Sequence, residues 1–135
     1  FTNCLDWTAH PFYAEICGLE VSAHFLIRRC GELVQFVATD LRAWHAGLSC
    51  WRERENCNDF SIGVELEGAD EVPYTDAQYA TLTSLTDALI AYYPGLCHDH
   101  LAGHADIAPG RKTDPGPAFN WARYRASLAS AGDTA

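Results

Sequence analysis

The stretch Ser61-Ile-Gly-Val-Glu-Leu-Glu67 alternates between apolar residues and small or acidic residues. Successive side chains of a β-strand point to opposite faces, so this alternation predicts a strand with one apolar face and one polar face. The apolar face is formed by Ile62, Val64 and Leu66. The polar face carries two carboxylates, Glu65 and Glu67, and either could act as a general base if the strand borders a cleft. Both could equally face solvent, and the alternation does not distinguish them.

Two apolar segments upstream of this strand indicate a β-hairpin. Val21 to Ile27 alternates in the same way, and a second apolar run extends from Leu33 to Val37. Cys30-Gly31 lies between them, and a glycine readily takes the positive φ that a tight turn needs. We therefore expect these two runs to pair as antiparallel strands.

Downstream of the strand, the sequence predicts two helices. Thr75-Asp-Ala-Gln78 has the form of a capping box, in which Thr is followed by Gln three residues later, and Pro94-Gly95 ends the helix that it begins. Apolar residues recur at helical spacing between these limits. They are Tyr79, Leu82, Leu85, Leu89 and Tyr93. A last helix is expected from about Phe119 to Leu128, and a short one from Ala9 to Cys17.

The overall composition narrows the possible functions. The length of 135 residues fits a single domain. The net charge of −9, from 18 acidic and 9 basic residues, argues against a nucleic-acid partner, because phosphate binding needs a basic face. No apolar run approaches the length of about 18 residues that a membrane span requires. We expect a monomer with no membrane partner.

The six cysteines contain no C-x-x-C pair, which argues against a zinc ribbon or a thioredoxin-like redox motif. An even number would permit three disulfides, but a chain of this size does not need such crosslinks to fold. The composition therefore favours mostly free thiols packed in the core.

The segment from Gly103 to Pro117 concentrates the side chains best suited to chemistry. His104 and Asp114 could supply two of the three protein ligands that a catalytic zinc ion usually takes. Lys112, the one lysine of the chain, could stabilise an oxyanion beside such a site. A loop histidine, a capping aspartate and a surface lysine paired with it would give the same pattern. Trp44 is equally open, as a core residue or as a stacking platform for a sugar ring.

Several of these segments together resemble one family of enzymes. The resemblance rests on Val21–Arg29, Arg42–Gly47, Cys57–Gly68, Tyr74–Tyr79, Gly103–Pro117 and Trp121–Tyr124. These segments cover nearly the whole chain in order, and they look like bacterial 1,6-anhydro-N-acetylmuramoyl-L-alanine amidases of the AmpD type. That family belongs to the amidase-2 and peptidoglycan-recognition-protein superfamily.

The resemblance implies an α/β (α+β) fold, with a mixed β-sheet flanked by helices, and one Zn²⁺ cofactor. It also implies hydrolysis of the amide bond between (1,6-anhydro-)N-acetylmuramic acid and L-alanine, acting on muropeptides in cytoplasmic peptidoglycan recycling. By position, His104 and Asp114 become zinc ligands, Glu65 the general base, Lys112 the oxyanion stabiliser, and Trp44 a residue of the substrate cleft. The preference for Glu65 over Glu67 comes from the resemblance alone.

The resemblance further implies a third zinc ligand, a histidine on an N-terminal strand upstream of Phe1. We therefore expect residues 1–135 to form a single amidase domain that is incomplete at its N-terminus. The family often has arginine at the positions of Glu20 and Asn56. Two other interpretations remain, a muropeptide-binding module without catalysis and an exported amidase acting on the intact wall.

Overall fold

The structure is a computed structural model that describes residues 21–132. Within this range the strands are β1 (Phe25–Ile27), β2 (Leu33–Gln35), β3 (Cys50–Trp51), β4 (Arg54–Glu55) and β5 (Val64–Leu66). The helices are α1 (Asp76–Tyr92), α2 (His104–Ile107) and α3 (Trp121–Gly132), with a 3₁₀ turn at Cys57–Asp59. The predicted helix from Ala9 to Cys17 lies outside the described residues. None of the helices between residues 21 and 132 is long and apolar enough to cross a membrane.

The main sheet has the strand order β2-β1-β5, and it is mixed, as the fold prediction requires. β1 pairs with β2 antiparallel and with β5 parallel. The predicted hairpin is confirmed, although its strands are shorter than the apolar runs. Gly31 takes a φ of 88° in the turn, and a Cβ there would lie 3.0 Å from the backbone oxygen of Ala77. The turn therefore depends on glycine both for its conformation and for its close approach to α1.

β5 confirms the alternation predicted for residues 61–67. Ile62, Val64 and Leu66 pack against the main core, while Glu65 is exposed on the opposite face. The ladder is limited to three residues on each strand, with Leu26 opposite Glu65 in the register. The short pairing follows from β1, which leaves the sheet after Ile27 in the turn that leads to β2.

The core lies between the sheet and the two longer helices. Phe25 and Ile27 of β1 belong to one buried apolar cluster with residues of α1 and α3. The remaining buried members are Tyr74, Tyr79, Leu82, Leu85, Phe119, Tyr124 and Leu128. The capping box predicted for α1 is present in both halves, and the helix ends at Tyr92, before Pro94. The predicted boundaries of this helix are confirmed.

The last helix starts later than predicted. It runs from Trp121 to Gly132 and not from Phe119 to Leu128. The side chain of Asn120 accepts a hydrogen bond from the N–H of Arg123 at 2.9 Å, which caps the first turn and fixes the start of the helix. Phe119 lies before this cap, and it fills the core by contacting the rings of Tyr74 and Tyr79.

The cysteine prediction is correct in one respect and wrong in the other. Cys30, Cys50, Cys57 and Cys97 are free thiols, but only Cys57 is buried. The two remaining cysteines lie outside the described residues. The exposed thiols fall in turns and at the short β3 strand, so the polarity of their segments outweighs the tendency of cysteine to be buried.

Two buried polar side chains hold β1 and β5 together. Gln78, on α1, is 1% exposed and donates from Nε2 to the carbonyls of Ile27 at 3.3 Å and Glu67 at 2.8 Å. His24 is fully buried, accepts the N–H of Gly63 at Nδ1, and donates from Nε2 to the carbonyl of Leu41 at 2.8 Å. His24 binds next to the first residues of the β1–β5 pairing, and Gln78 binds next to its last residues.

We expect Gln78→Leu to destabilise the protein strongly. The substitution keeps the side-chain volume roughly constant but removes the donor to the Glu67 carbonyl and the acceptor of the Thr75 N–H. The Ile27 carbonyl keeps the N–H of Glu67 as a donor. Each buried group left unpaired costs about 1–3 kcal/mol. Chemical denaturation would measure the loss as a lower free energy of unfolding.

Gln35→Leu is the matched control, because Gln35 is exposed and its side chain reaches only the carbonyl of Val37. This variant should change the free energy of unfolding by less than about 0.5 kcal/mol. Equal losses in the two variants would show that the position of Gln78 between the strands has no special importance.

Candidate active site

Four of the predicted site residues are close enough for their charges to interact: Glu65, His104, Lys112 and Asp114. Glu65 stands at the middle of β5, on the face directed away from the core. His104 is the first residue of α2, and Lys112 and Asp114 follow in the loop after it. The charges of Asp114, His104 and Lys112 all act on the pKa of the Glu65 carboxyl. The fold thus brings together groups that are up to 49 positions apart in the sequence.

The loop that carries these residues closes on itself. The N–H of Ala105 donates to the carbonyl of Asp114 at 2.9 Å, and the N–H of Lys112 donates to the carbonyl of Ala108 at 3.0 Å. A Cβ at Gly103 would lie 2.8 Å from the Cδ of Pro115, so only glycine permits this approach of the two ends. The predicted loop therefore contains the one-turn helix α2. One of the first N–H groups of this helix, that of Ala105, is hydrogen-bonded to the segment that follows the helix.

His104 and Asp114 face each other directly. Nδ1 of His104 lies 3.2 Å from Oδ2 of Asp114, and Nε2 lies 2.9 Å from the carbonyl oxygen of Ala46. A carbonyl can only accept, so Nε2 carries a proton and donates it. In the neutral ring, Nδ1 is then a second acceptor facing a carboxylate. Two acceptors at this separation repel each other unless a proton or a cation lies between them.

This donor set fits a zinc ion. Two ligands with bonds of about 2.0–2.1 Å in a tetrahedral site lie roughly 3.3 Å apart, close to the separation of Nδ1 and Oδ2. Metal-binding histidines also usually donate their other ring N–H to a carbonyl or carboxylate, as His104 does to Ala46. His104 and Asp114 could therefore hold a metal as two ligands. Between residues 21 and 132 no group of three or more His, Cys, Asp or Glu side chains is arranged to bind one.

The Glu65 carboxyl is tuned by its surroundings. The protein displaces water from it, which raises its pKa above the ordinary value, and the negative charge of Asp114 raises the pKa further. His104 and Lys112 lower the pKa and partly offset these effects. The side chain still has accessible surface, so a water molecule or a substrate can reach it. A reachable carboxyl with a raised pKa is suited to both accepting and returning a proton.

Glu67 has a different environment, although it shares the polar face in the sequence pattern. It is 8% exposed, and its Oε2 lies 3.6 Å from Nε of Arg28 and 3.4 Å from the N–H of Arg29. This carboxylate is engaged with the turn after β1. The structure therefore separates two residues that the alternation could not distinguish.

Lys112 and Trp44 are both exposed. No ion pair joins Lys112 to Asp114 in the described part of the chain, and Asp114 pairs with His104 instead. Trp44 is 53% exposed, and the Arg42 guanidinium lies 4.0 Å above its ring. That Trp44 binds a substrate stays a prediction.

A cavity of about 890 Å³ adjoins these groups. Its walls come from β5, one side of α1 and residues between 94 and 104, and Glu65, His104 and Asp114 reach it. Lys112 and Trp44 do not line it. Small-molecule sites typically occupy about 300–1,000 Å³ and combine apolar walls with a few polar groups. This concave surface has both properties.

The structure places His45 beside the site, although no sequence pattern singled this residue out. Its Nε2 lies 3.3 Å from the Ser61 hydroxyl, and its ring stands 5.9 Å from that of His24. Burial lowers the pKa of His45 to about 4, with further lowering by the charges of His24 and His104. Asn58 and Arg111, which bind the backbone around Ala46, were also not among the predicted site residues. Their only signal was that both lie within the resembling segments.

Comparison with known proteins identifies close relatives. Residues 1–117 match the Amidase_2 family, described as N-acetylmuramoyl-L-alanine amidase. The chain is 59% identical over 133 residues to the 1,6-anhydro-N-acetylmuramyl-L-alanine amidase AmpD of Enterobacter cloacae, covering 98% of this chain and 71% of the relative.

Solved structures show the same fold. A crystal structure of the selenomethionine derivative of AmpD matches with a TM-score of 0.85 and 59% identity, covering 92% of this chain and 69% of that one. The Escherichia coli amidase AmiD, solved with its substrate anhydro-N-acetylmuramic acid-L-Ala-D-γ-Glu-L-Lys, matches with a TM-score of 0.75 and 35% identity. That match covers 85% of this chain and 51% of AmiD.

The lowered pKa of His45 predicts a pH-dependent stability. Between pH 6.5 and about 4 the unfolded chain binds a proton at this ring that the folded protein does not bind. The contribution of His45 to the free energy of unfolding is therefore complete above pH 6.5 and is lost as the pH falls toward 4. His45→Gln should flatten this part of the profile, measured by denaturant unfolding across the window.

Gln35→Leu, which removes no titratable group, should keep the pH dependence of the unmodified protein. A profile of His45→Gln parallel to that of the unmodified protein would contradict a neutral, half-buried His45.

Proposed function

The chain belongs to the AmpD-type 1,6-anhydro-N-acetylmuramoyl-L-alanine amidases of the Amidase_2 family, and from this premise we propose a zinc-dependent hydrolysis at the Glu65–His104–Asp114 site. The scissile bond is the amide between the lactyl group of (1,6-anhydro-)N-acetylmuramic acid and L-alanine. The observation that carries the proposal is the opposition of His104 Nδ1 and Asp114 Oδ2 at 3.2 Å, next to a carboxyl of raised pKa.

His104 and Asp114 would hold the zinc ion. When bound, zinc would act as a Lewis acid that polarises the scissile carbonyl and lowers the pKa of a water molecule toward about 7. His104 would bind through Nδ1, because Nε2 is engaged with the carbonyl of Ala46. Asp114 would add a negative charge that favours a divalent cation.

Glu65 would move the proton. Its carboxylate accepts a proton from the attacking water, whose oxygen forms the new bond to the lactyl carbonyl carbon. When the carbon–nitrogen bond breaks, the carboxylic acid returns the proton to the amine of L-alanine. The raised pKa of Glu65 supports both transfers, because it makes the carboxylate a stronger base toward the attacking water and lets more of the carboxylic acid persist near neutral pH until the amine leaves.

Lys112 and Trp44 would act on the two sides of the reacting bond. The Lys112 ammonium is a compact positive charge, near enough to Glu65 to lower its pKa, and it would stabilise the oxyanion that forms at the carbonyl. The exposed ring of Trp44 would stack against the sugar, although it lies outside the walls of the cavity.

The substrate class follows from the relatives. AmiD was solved with an anhydro-muramyl tripeptide, and AmpD is named for the anhydro sugar, so we propose soluble anhydro-muropeptides as substrates in peptidoglycan recycling. A cytoplasmic location and a monomeric state agree with such substrates and complete the proposal.

Glu65→Gln should abolish most of the turnover without removing the metal. Loss of a general base costs about 10²- to 10⁴-fold in rate. Release of the L-alanine-led peptide from an anhydro-muropeptide measures turnover, and elemental analysis measures zinc. Asp114→Asn should lose both zinc and turnover, and a chelator should reproduce that result in the unmodified protein.

Glu67→Gln is the matched control on the same strand. Its carboxylate binds the turn after β1, so this variant should be less stable but should keep its turnover. Unchanged hydrolysis in Glu65→Gln would reject the assignment of the base. If the unmodified protein binds zinc and the muropeptide but never cleaves it, a binding module replaces the amidase.

Lys112→Met should lower kcat much more than it raises KM. Removal of one oxyanion-stabilising group costs about 10²- to 10³-fold in kcat. The zinc content should stay constant, because Lys112 is not a ligand. A change confined to KM would instead show that Lys112 binds the substrate without stabilising the transition state.

A further inference from the structure

The carbonyl of Ala46 is the fixed point against which His104 is oriented. It accepts a hydrogen bond from Nε2 of His104 at 2.9 Å and another from Nη2 of Arg111 at 2.7 Å. Ala46 itself is fully buried. Arg111 also donates to the carbonyl of Leu48 at 2.7 Å, so its guanidinium bridges two peptide groups of the same loop. The orientation of the His104 ring thus depends on the backbone at Ala46.

The opposite side of this backbone is held by Asn58. Its Oδ1 accepts the N–H of His45 at 3.0 Å and the N–H of Ala46 at 2.8 Å. Asn58 is 6% exposed and lies in the 3₁₀ turn at Cys57–Asp59. That turn is tied to the same loop, because the Ser49 hydroxyl accepts the N–H of Cys57 at 3.1 Å. One buried amide therefore fixes two successive N–H groups of the loop.

We propose that Asn58 is a positioning residue for His104 and acts through the backbone of Ala46. Asn58 sets the two N–H groups, the loop then presents the Ala46 carbonyl to His104, and the ring is held with Nδ1 toward Asp114. Arg111 supports the same carbonyl from the solvent side. The inference rests on the proposed function, because the orientation of His104 matters for chemistry only if this ring holds the metal.

These contacts determine how well His104 could bind a metal ion through Nδ1. A histidine that loses the partner of its second nitrogen can rotate and can place its proton on either nitrogen, so Nδ1 no longer faces Asp114 permanently. A merely structural Asn58 would affect the stability of the fold without changing the His104 ring. The two roles therefore differ in a measurement made on the ring itself.

The test is NMR of the metal-free protein with ¹⁵N-labelled histidine, combined with zinc titration against a competing chelator. Ring N–H groups that are hydrogen-bonded and shielded exchange slowly with solvent and give observable signals. The unmodified protein should show such signals for Nε2 of His104 and of His24, which donates to the carbonyl of Leu41. Asn58→Leu should lose the His104 signal and keep that of His24. Its zinc affinity should fall about 10- to 100-fold.

Asn58→Asp is the conservative control, because a carboxylate oxygen can accept the same two N–H groups, and it should keep the His104 signal. Thr81→Val controls for general destabilisation, since it removes a side-chain bond to the carbonyl of Gly31 far from this loop. Asn58→Ser, which changes the packing less than Asn58→Leu, replaces it if that variant does not fold.

The results distinguish the positioning role of Asn58 from the proposed binding of zinc. The positioning role is overturned if the unmodified protein shows no protected His104 N–H, or if a folded Asn58→Leu or Asn58→Ser variant keeps both the signal and the zinc affinity. If the unmodified protein shows the signal and Asn58→Leu loses it, but no zinc binds to either, the positioning role stands and His104 with Asp114 is not sufficient to hold zinc.

Discussion

The structure depends on the parallel pairing of β1 with β5, which is only three residues long and is held at both ends by buried side chains. His24 binds the N–H of Gly63 at the start, and Gln78 binds the carbonyls of Ile27 and Glu67 at the end. Parallel strands cannot be joined by a tight turn, so no local geometry fixes their register. A slip by one residue would move Glu65 to the core face. The hydrogen bonds of His24 and Gln78 therefore determine the face of the sheet on which the Glu65 carboxyl lies.

The candidate site combines the main sheet with a loop that is closed by its own hydrogen bonds. The loop after α2 returns to its own start through the bond between Ala105 and Asp114, and this return sets His104 opposite the carboxylate. The loop around Ala46 then joins the two units, because its carbonyl receives the His104 ring. The His104 ring is thus oriented by a backbone carbonyl, which is less mobile than a flexible side chain and suits a preorganised site.

Much of the fold could be predicted from local patterns. The strand at Val64–Leu66, the hairpin around Gly31 and the capped helix from Asp76 each follow from periodicity and from one turn or cap. The start of the last helix was missed because the Asn120 cap gave a weaker signal than the apolar Phe119. The cysteine prediction failed because residue type alone does not reveal whether a segment lies at the surface.

The site could be predicted only in part. A period of two places Glu65 and Glu67 on one face, and the difference between them arises from the turn after β1, which supplies Arg28 and Arg29 to Glu67 alone. The backbone partner of His104 could not be predicted for a similar reason. The Ala46 carbonyl is a backbone group more than fifty residues away, and no side-chain pattern records which carbonyl the chain will present.

The hydrogen bond between Gly63 and His24 also has a consequence for the order in which the parts of the protein fold. The bond from Gly63 to His24 joins residues 39 positions apart, and the bond from Gln78 to Ile27 joins residues 51 positions apart. Closing such long loops costs entropy before any contact repays it, and contacts of high sequence separation slow folding. The hairpin and α1 need only neighbouring residues and can form first. We therefore expect Glu65 to reach its final place after the hairpin and α1 have formed.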